Sequence, residues 1–413
     1  MILTPELWPT YGGIGNYVMH IARNIPRDVE IEIVMPRLPA SARGNRSPAK
    51  ALAGVLPSNT RITHLGGPLD SFSRQIFFQW MCKDYVKSAV RTGRTDVVHS
   101  ASNMPDFLIS PKRLRVPLIS TVHTTIRGHY ESLRSIGGTL GELSPSERLV
   151  FLLGPALSKA ENTYYTNDRY YLTVSEWAKR QMTREKHVDP SKIRVINIGV
   201  DTEIFSPEKE RFAEAVYPAL ADIEEPKVLY LSRMAARKGI SLLLKAIPRI
   251  LQKVDVHFVF AGAGKKPNFA VPERHYTYLG HVPNDCPPYL YAMSDVYVLP
   301  SLYENFPACI LEAMASECAV VSTEICGIPE MIQNEENGFM IPPNDVNELS
   351  RILIHLVEND DLRKRIGKKA RNHVVQKFSW EMTSRRTKEY YEEVVEGHKQ
   401  GIDSFTCRPR LRK

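Results

Sequence analysis

Short runs of β-branched and aromatic residues alternate with longer stretches of helical periodicity along nearly the whole chain, and this alternation constrains the fold more than any other feature. In the first half the strand candidates are Ile2–Glu6, Glu30–Pro36, Asp96–Ser100, Leu118–His123, Tyr171–Ser175 and Arg194–Ile198. In the second half they are Val228–Ser232, His257–Ala261, Tyr276–Gly280, Val296–Pro300, Ala319–Thr323 and Phe339–Ile341. Strands separated by helices form parallel sheets covered on both faces. At 413 residues the chain exceeds one ordinary core, so two such domains are expected. The join falls near Gly199–Pro226, which holds Pro207, Pro218, Pro226 and an acidic cluster at Asp222–Glu225 but no strand pattern. The expected division is a first Rossmann-like domain over 1–205, a second over 206–380, a helix over 381–398 and a basic tail over 399–413. That helix either crosses back to the first domain or ends the chain on the surface. The fold class is therefore α/β, with two Rossmann-like parallel-sheet domains facing one another across a cleft.

In such folds ligands bind beyond the carboxyl ends of the strands. The strongest local signal there is Ser301–Met314, where a strand candidate ends at Pro300 and a helix is expected from Pro307. Free backbone amides just past Asn305 would form an anion site, reinforced by the helix dipole. Glu304 lies before this helix and Glu312 within it. Eight residues at about 1.5 Å each separate them by at most roughly 12 Å, the span from hexose to ribose across a diphosphate. Each carboxylate can accept hydrogen bonds from vicinal hydroxyls. The plainer alternative makes Glu304 a helix cap and Glu312 a surface charge.

Other loops point the same way. Val228–Gly239 is a buried strand running into Arg233, Arg237 and Lys238, cations suited to phosphate oxygens and to charge developing on a leaving group. Gly12-Gly13-Ile14-Gly15 follows the first strand and opens a helix, where glycines let backbone approach a phosphate. It lacks the spacing of the dinucleotide fingerprint, and Gly262-Ala263-Gly264-Lys265 is neither that fingerprint nor a P-loop. Of the strand-end histidines His99 and His123, His123 is the better candidate for a polar contact at a reacting sugar, and a structural role is the ordinary fate of either.

Taken together these elements resemble the retaining glycosyltransferases of family 4, which have the GT-B fold. Glu304 to Glu312 is similar to that family's E-x7-E element, Arg233 and Lys238 to its phosphate-binding pair, Gly12–Gly15 to its glycine loop and His123 to its donor-side histidine. Asn197–Asp201 with Phe205 and Pro207 resembles the interdomain segment. Gly280-His281-Val282 resembles the turn whose backbone reads the nucleobase, and Gly327–Glu330 the loop after the E-x7-E helix. The resemblance runs from residue 1 to about 385. It implies that Arg233 and Lys238 hold a diphosphate, Glu312 the ribose, and Glu304 with the Asn305 and Phe306 amides the donor sugar. Gly13, within Gly12–Gly15, would contact phosphate across the cleft, and His123 would sit near the anomeric carbon. The chain departs from the family pattern at Leu231–Met234, at Asn305 and Pro307 where glycines are common, and at Glu317-Cys318. None of these departures removes a charged ligand.

The implied function is metal-independent, retaining transfer of a sugar from a UDP-, GDP- or ADP-sugar to an acceptor hydroxyl on a glycan, glycolipid or small molecule. No D-x-D motif occurs, so neither a metal nor another resident cofactor is expected. The alternatives are an epimerase or phosphorylase on the same scaffold, or a silent nucleotide-sugar-binding protein. The co-occurrence of Arg233, Lys238, Glu304 and Glu312 argues against the last. The acceptor is expected in the first domain, where the segment Arg37–Gly67 carries no interpretable motif. A stripe of Phe77, Phe78, Trp80 and Met81 on the helix expected over Ser73–Arg91 reads as core.

Composition limits the partners. Net charge is a modest +8, and no basic motif interleaved with aromatics suggests nucleic acid. The tail Cys407–Lys413 has four cations and no acid, and is expected to be solvated or to touch anionic lipid. Six scattered cysteines without a C-x-x-C pair, no signal-peptide pattern and no 18-residue apolar run make a cytoplasmic protein with reduced thiols the expectation, peripheral at the membrane if the tail binds lipid.

Overall fold

The computed structural model of the protein describes residues 1–7, 12–37, 55–66, 71–135 and 145–406. The tail from Cys407, residues 9–11 ahead of the glycine loop and most of the uninterpreted 37–67 segment lie outside them.

The first sheet contains β1 (Ile2–Leu3), β2 (Ile31–Pro36), β3 (Thr60–Leu65), β4 (Val98–Ser100), β5 (Leu118–Val122), β6 (Tyr170–Thr173) and β7 (Ile193–Val195). Its order is β3-β2-β1-β4-β5-β6-β7, and every pairing is parallel. The second contains β8 (Lys227–Leu231), β9 (His257–Ala261), β10 (Tyr276–Gly280), β11 (Val296–Leu299), β12 (Ala319–Thr323) and β13 (Phe339–Ile341), in the parallel order β10-β9-β8-β11-β12-β13. Each order reverses direction beside its first strand, so each domain has a crevice there, between β1 and β4 and between β8 and β11.

Alternation along each strand builds the layers. In β8, Val228 and Tyr230 face the helices Ile240–Leu251 and Val346–Glu358, while Leu229 faces the helices Ala308–Ala315 and Asp360–Lys377. In the first domain Ile31, Ile33 and Met35 share a core with the helix Gly13–Asn24, and Val34 packs against Phe78, Cys82 and Val86 on the other face.

Strand β3 is a correction, because it falls in the segment read as having no pattern. Thr60-Arg61-Ile62-Thr63-His64-Leu65 has no apolar run, yet it pairs with β2 over its whole length at the sheet edge. There Arg61 and Thr63 satisfy the buried Glu32 at 3.0 and 2.7 Å, joined by Tyr85 at 2.5 Å. The helix Ser71–Arg91 corrects the expected stripe. Phe78 is buried, but Phe77 and Trp80 are 52% and 58% exposed and belong to no core.

After β7 the chain crosses to the second domain. Residues read as a strandless join carry the short helices Glu210–Val216 and Pro218–Ala221, which pack Ala213 and Leu220 into buried positions. It returns at Phe378–Trp380, and the two crossings lie side by side: Val200 bridges Ser379, with the Val200 N–H donating to the Phe378 carbonyl at 2.8 Å. Any side chain at Gly199 would collide with the Trp380 backbone. The terminal helix Trp380–Thr406 then buries Trp380, Tyr390, Tyr391 and Val394 in the core of the first domain.

Candidate functional site

The carboxyl ends of the two sheets face each other, and the loop from Pro300 to Pro307 reaches across. Asn305 donates from Nδ2 to the His123 carbonyl at 2.6 Å, and its Oδ1 accepts from the Ser175 hydroxyl. Ser175 caps the helix Glu176–Glu185 by accepting from the Ala178 amide at 3.0 Å. Glu330 completes the clasp: its carboxylate accepts from the Glu176 and Trp177 amides, each at 2.8 Å. This places an anion at a helix N-terminus, where the dipole favours it. Trp177 also meets Tyr303 edge-to-face at 5.9 Å.

Inside this clasp, Glu304 is buried and ion-paired with Lys238, while Arg237 lies 3.6 Å from the same carboxylate. Arg237 also reaches Glu147 of the first domain at 3.6 Å. The expected sites for a sugar and for phosphate therefore neutralise each other here, instead of standing apart. Glu304 does not cap the following helix: the cap of Ala308–Ala315 is Pro307, without a side-chain hydrogen bond. The helix thus starts one residue later than expected, and its first amides have no side-chain cap. Asn305 and Phe306 are both buried. Phe306 packs its ring on Phe378 at 5.7 Å, so it can offer a ligand only its backbone.

Glu312 is no surface charge. It is half-buried, and loss of hydration pushes its carboxyl up to about 7, against a 3.1 Å hydrogen bond from the Tyr291 hydroxyl. Arg233 is exposed on the loop after β8. Gly239, in the left-handed region at φ +75°, closes that loop where any side chain would strike the Pro300 carbonyl. His281 is exposed after β10, beside Gly280 at φ +66°.

Across the cleft, Gly12 caps the helix Gly13–Asn24 and Gly13 is exposed, with open space where its side chain would be. Glu6, which the sequence did not single out, occupies part of this loop. It accepts from the Gly15 amide at 3.2 Å, and a side chain at Gly12 would run into its carboxylate. His123 donates from Nε2 to the Ala101 carbonyl at 3.0 Å and meets Tyr17 edge-on at 5.6 Å. Burial holds it below the usual imidazole range, so it is neutral at pH 7. His99 is structural, bonded to Tyr391 at 2.6 Å and Thr121 at 2.7 Å.

Loops after β1, β5, β8 and β11 and the helix Ala308–Ala315 thus bring together Arg233, Arg237 and Lys238, the carboxylates Glu304 and Glu312 at different depths and an uncapped helix start, with Glu6 on the glycine loop and Glu147 against Arg237. Such a set can hold a polyanion at the cations and amides, and hydroxyl-bearing groups at the carboxylates. Among the described residues no group of three or more His, Cys, Asp and Glu is placed to hold a metal ion. Glu147, Ser175 and Glu330 carry contacts that no local spacing signals.

Two family models match the chain in succession, Glycosyltransferase Family 4 over residues 11–204 and Glycosyl transferases group 1 over 218–373. An uncharacterized glycosyltransferase of Methanocaldococcus jannaschii is 27% identical over 315 residues, 73% of this chain and 76% of the relative. Sucrose-phosphate synthase of Thermosynechococcus elongatus shares the fold with a TM-score of 0.73 at 18% identity, over 96% of this chain and 99% of that one. The HepE protein of Anabaena, solved in complex with UDP-glucose, does so with a TM-score of 0.62 at 16% identity, over 98% and 99%.

Proposed function

This chain belongs to glycosyltransferase family 4, with the GT-B fold, and on that premise we propose that it transfers a sugar from a nucleotide-diphosphate donor to an acceptor hydroxyl, with retention and without a metal ion or other cofactor. The observation that carries the reading is the Lys238–Glu304–Arg237 cluster beside the uncapped start of the helix Ala308–Ala315. A donor diphosphate takes over Lys238, Arg237 and Arg233 and the free amides. Glu304 is thereby released to accept hydrogen bonds from hydroxyls of the donor sugar. Glu312 accepts from the ribose, and the backbone around His281 faces the base.

The bond between the anomeric carbon and the diphosphate oxygen breaks as the acceptor oxygen bonds to the same face of that carbon. The acceptor proton passes to the departing phosphate oxygen, and the cations stabilise the charge that gathers there. Neutral His123 and the His123–Asn305 contact position the sugar. The test is release of nucleoside diphosphate from UDP-, GDP- and ADP-sugars, with and without acceptor extracts. Release stimulated by acceptor, with the donor's anomeric configuration kept in the product, is expected. Isomerisation of the donor without nucleotide release would overturn the reading in favour of an epimerase.

A further inference from the structure

Beside the cleft, the first domain holds a groove of about 440 Å³ between the helices Ser71–Arg91 and Pro145–Glu161, floored by the connection from β4 to β5. Its walls are apolar at Met104, Phe107 and Leu157 and polar at Thr125 and His129. The polar end adjoins the site, because Thr125 also lines a neighbouring hollow with Leu302 and Tyr303 of the Pro300–Pro307 loop. The His129 Nε2 is buried with no hydrogen-bond partner among the described residues.

The apolar end continues onto the surface. Leu149, Leu152 and Leu153 are 49%, 64% and 48% exposed, a stripe at helical spacing that leads to Leu157 in the groove. Phe107 and Leu108 stand out on the floor. The leucine stripe, Phe107 and Leu108 thus form an exposed apolar surface that runs into the groove, which marks an interaction site and not ordinary scatter. The β4–β5 connection that carries Phe107 and Leu108 goes on to exposed Lys112, Arg113 and Arg115, of which Lys112 pairs with Asp168 at 3.4 Å. Apolar side chains flanked by cations match the boundary between the acyl region and the headgroups of an anionic bilayer.

We propose that this groove is the acceptor site and takes the apolar part of an amphiphilic acceptor carried in an anionic bilayer, presenting its hydroxyl at the Thr125–His129 end. The proposal rests on the transferase reading above for the reaction, but not for the membrane contact.

The test is co-sedimentation of the full chain with vesicles of equimolar phosphatidylcholine and phosphatidylglycerol, alongside nucleoside-diphosphate titration and oligomer size. Wild type is expected to sediment with these vesicles and less with phosphatidylcholine alone. A variant carrying Leu149→Ser, Leu152→Ser and Leu153→Ser should bind vesicles roughly tenfold more weakly or worse, having lost apolar area that enters the bilayer. All three positions are exposed, so the variant should keep its fold and its nucleotide affinity. It should also lose transfer to a lipid extract presented in vesicles. Equal vesicle binding by wild type and variant, or none by either, overturns the proposal. A wild-type dimer that the variant converts to monomer also overturns it, by assigning the face to a second copy. Vesicle binding without nucleotide binding would instead sink the donor reading and leave the membrane contact standing.

Discussion

Lys238 and Glu304 hold each other in the cleft, and on the proposed reading each exchanges that partner for the donor when it binds. Lys238→Ala should leave the fold intact, since Arg237 still faces Glu304. Loss of one such charge from the leaving group costs about 2.7–4 kcal/mol of transition-state stabilisation, or roughly a hundred- to a thousandfold in turnover. Steady-state kinetics on the purified variant reads this directly, and near-wild-type turnover refutes the role. The two glutamates separate by ligand. Glu304→Gln should impair transfer while bare nucleoside diphosphate binds almost normally, whereas Glu312→Gln should weaken the bare nucleotide itself, both by calorimetric titration. Glu312 also fixes a sign. Its carboxyl ionises at about 7 in the folded chain against an ordinary 4.5, so between those values the folded state holds the extra proton. The stability contribution of this group therefore falls as pH rises across that window. Nucleotide affinity should move the other way, rising as pH passes up through about 7, because the ionised form is the better acceptor for ribose. Glu312→Gln should abolish that part of the pH dependence.

At the scale of elements, the Pro300–Pro307 loop, Gly327–Glu330 and the helix Glu176–Glu185 make a clasp of hydrogen bonds between the two domains. Glu330→Ala removes the acceptor for two helix-terminal amides, a loss comparable to that of a cap, about 1 kcal/mol. A fall in thermal midpoint of about 2–4 °C is expected, with a weaker donor KM. A melt identical to wild type would show that the clasp contributes nothing. Elements of this kind were legible unequally. Strands buried on both faces, such as Val296–Leu299 and the Phe258–Ala261 stretch of β9, announce themselves as unbroken apolar runs. Edge strand β3 did not, because its polar residues serve Glu32, a partner far away in sequence. Phe77 and Trp80 misled for a related reason: helical spacing shows that two side chains share a face, but not what that face meets. In the site, loop residues after strands were readable because topology puts ligands there. Glu6, Glu147 and Ser175 were not, since their partners come from other elements or from the facing domain.

For the whole molecule, metal independence is tested by chelation: transfer should persist in EDTA, and loss restored by Mg²⁺ or Mn²⁺ would refute it. The return of the last helix has a larger consequence for folding. Ending the chain at Lys377 removes four apolar side chains from the core of the first domain, Trp380, Tyr390, Tyr391 and Val394, each contributing about 1.5–3 kcal/mol, against a total stability of about 5–15 kcal/mol. The shortened chain should fail to fold its first domain, as seen in a lost cooperative melt. A cooperative melt matching the full chain would mean that the helix is dispensable. Because both crossings run together at Val200 and Ser379, and the Thr383 hydroxyl donates to the Asn197 carbonyl at 2.9 Å, the entire second domain enters and leaves through one narrow doorway. In architectural terms it is a cassette inserted into a first domain that holds both described ends of the chain. Such a cassette has two neighbouring splice points, and on the proposed reading exchanging it would swap the donor-binding half while leaving the groove of the first domain unchanged.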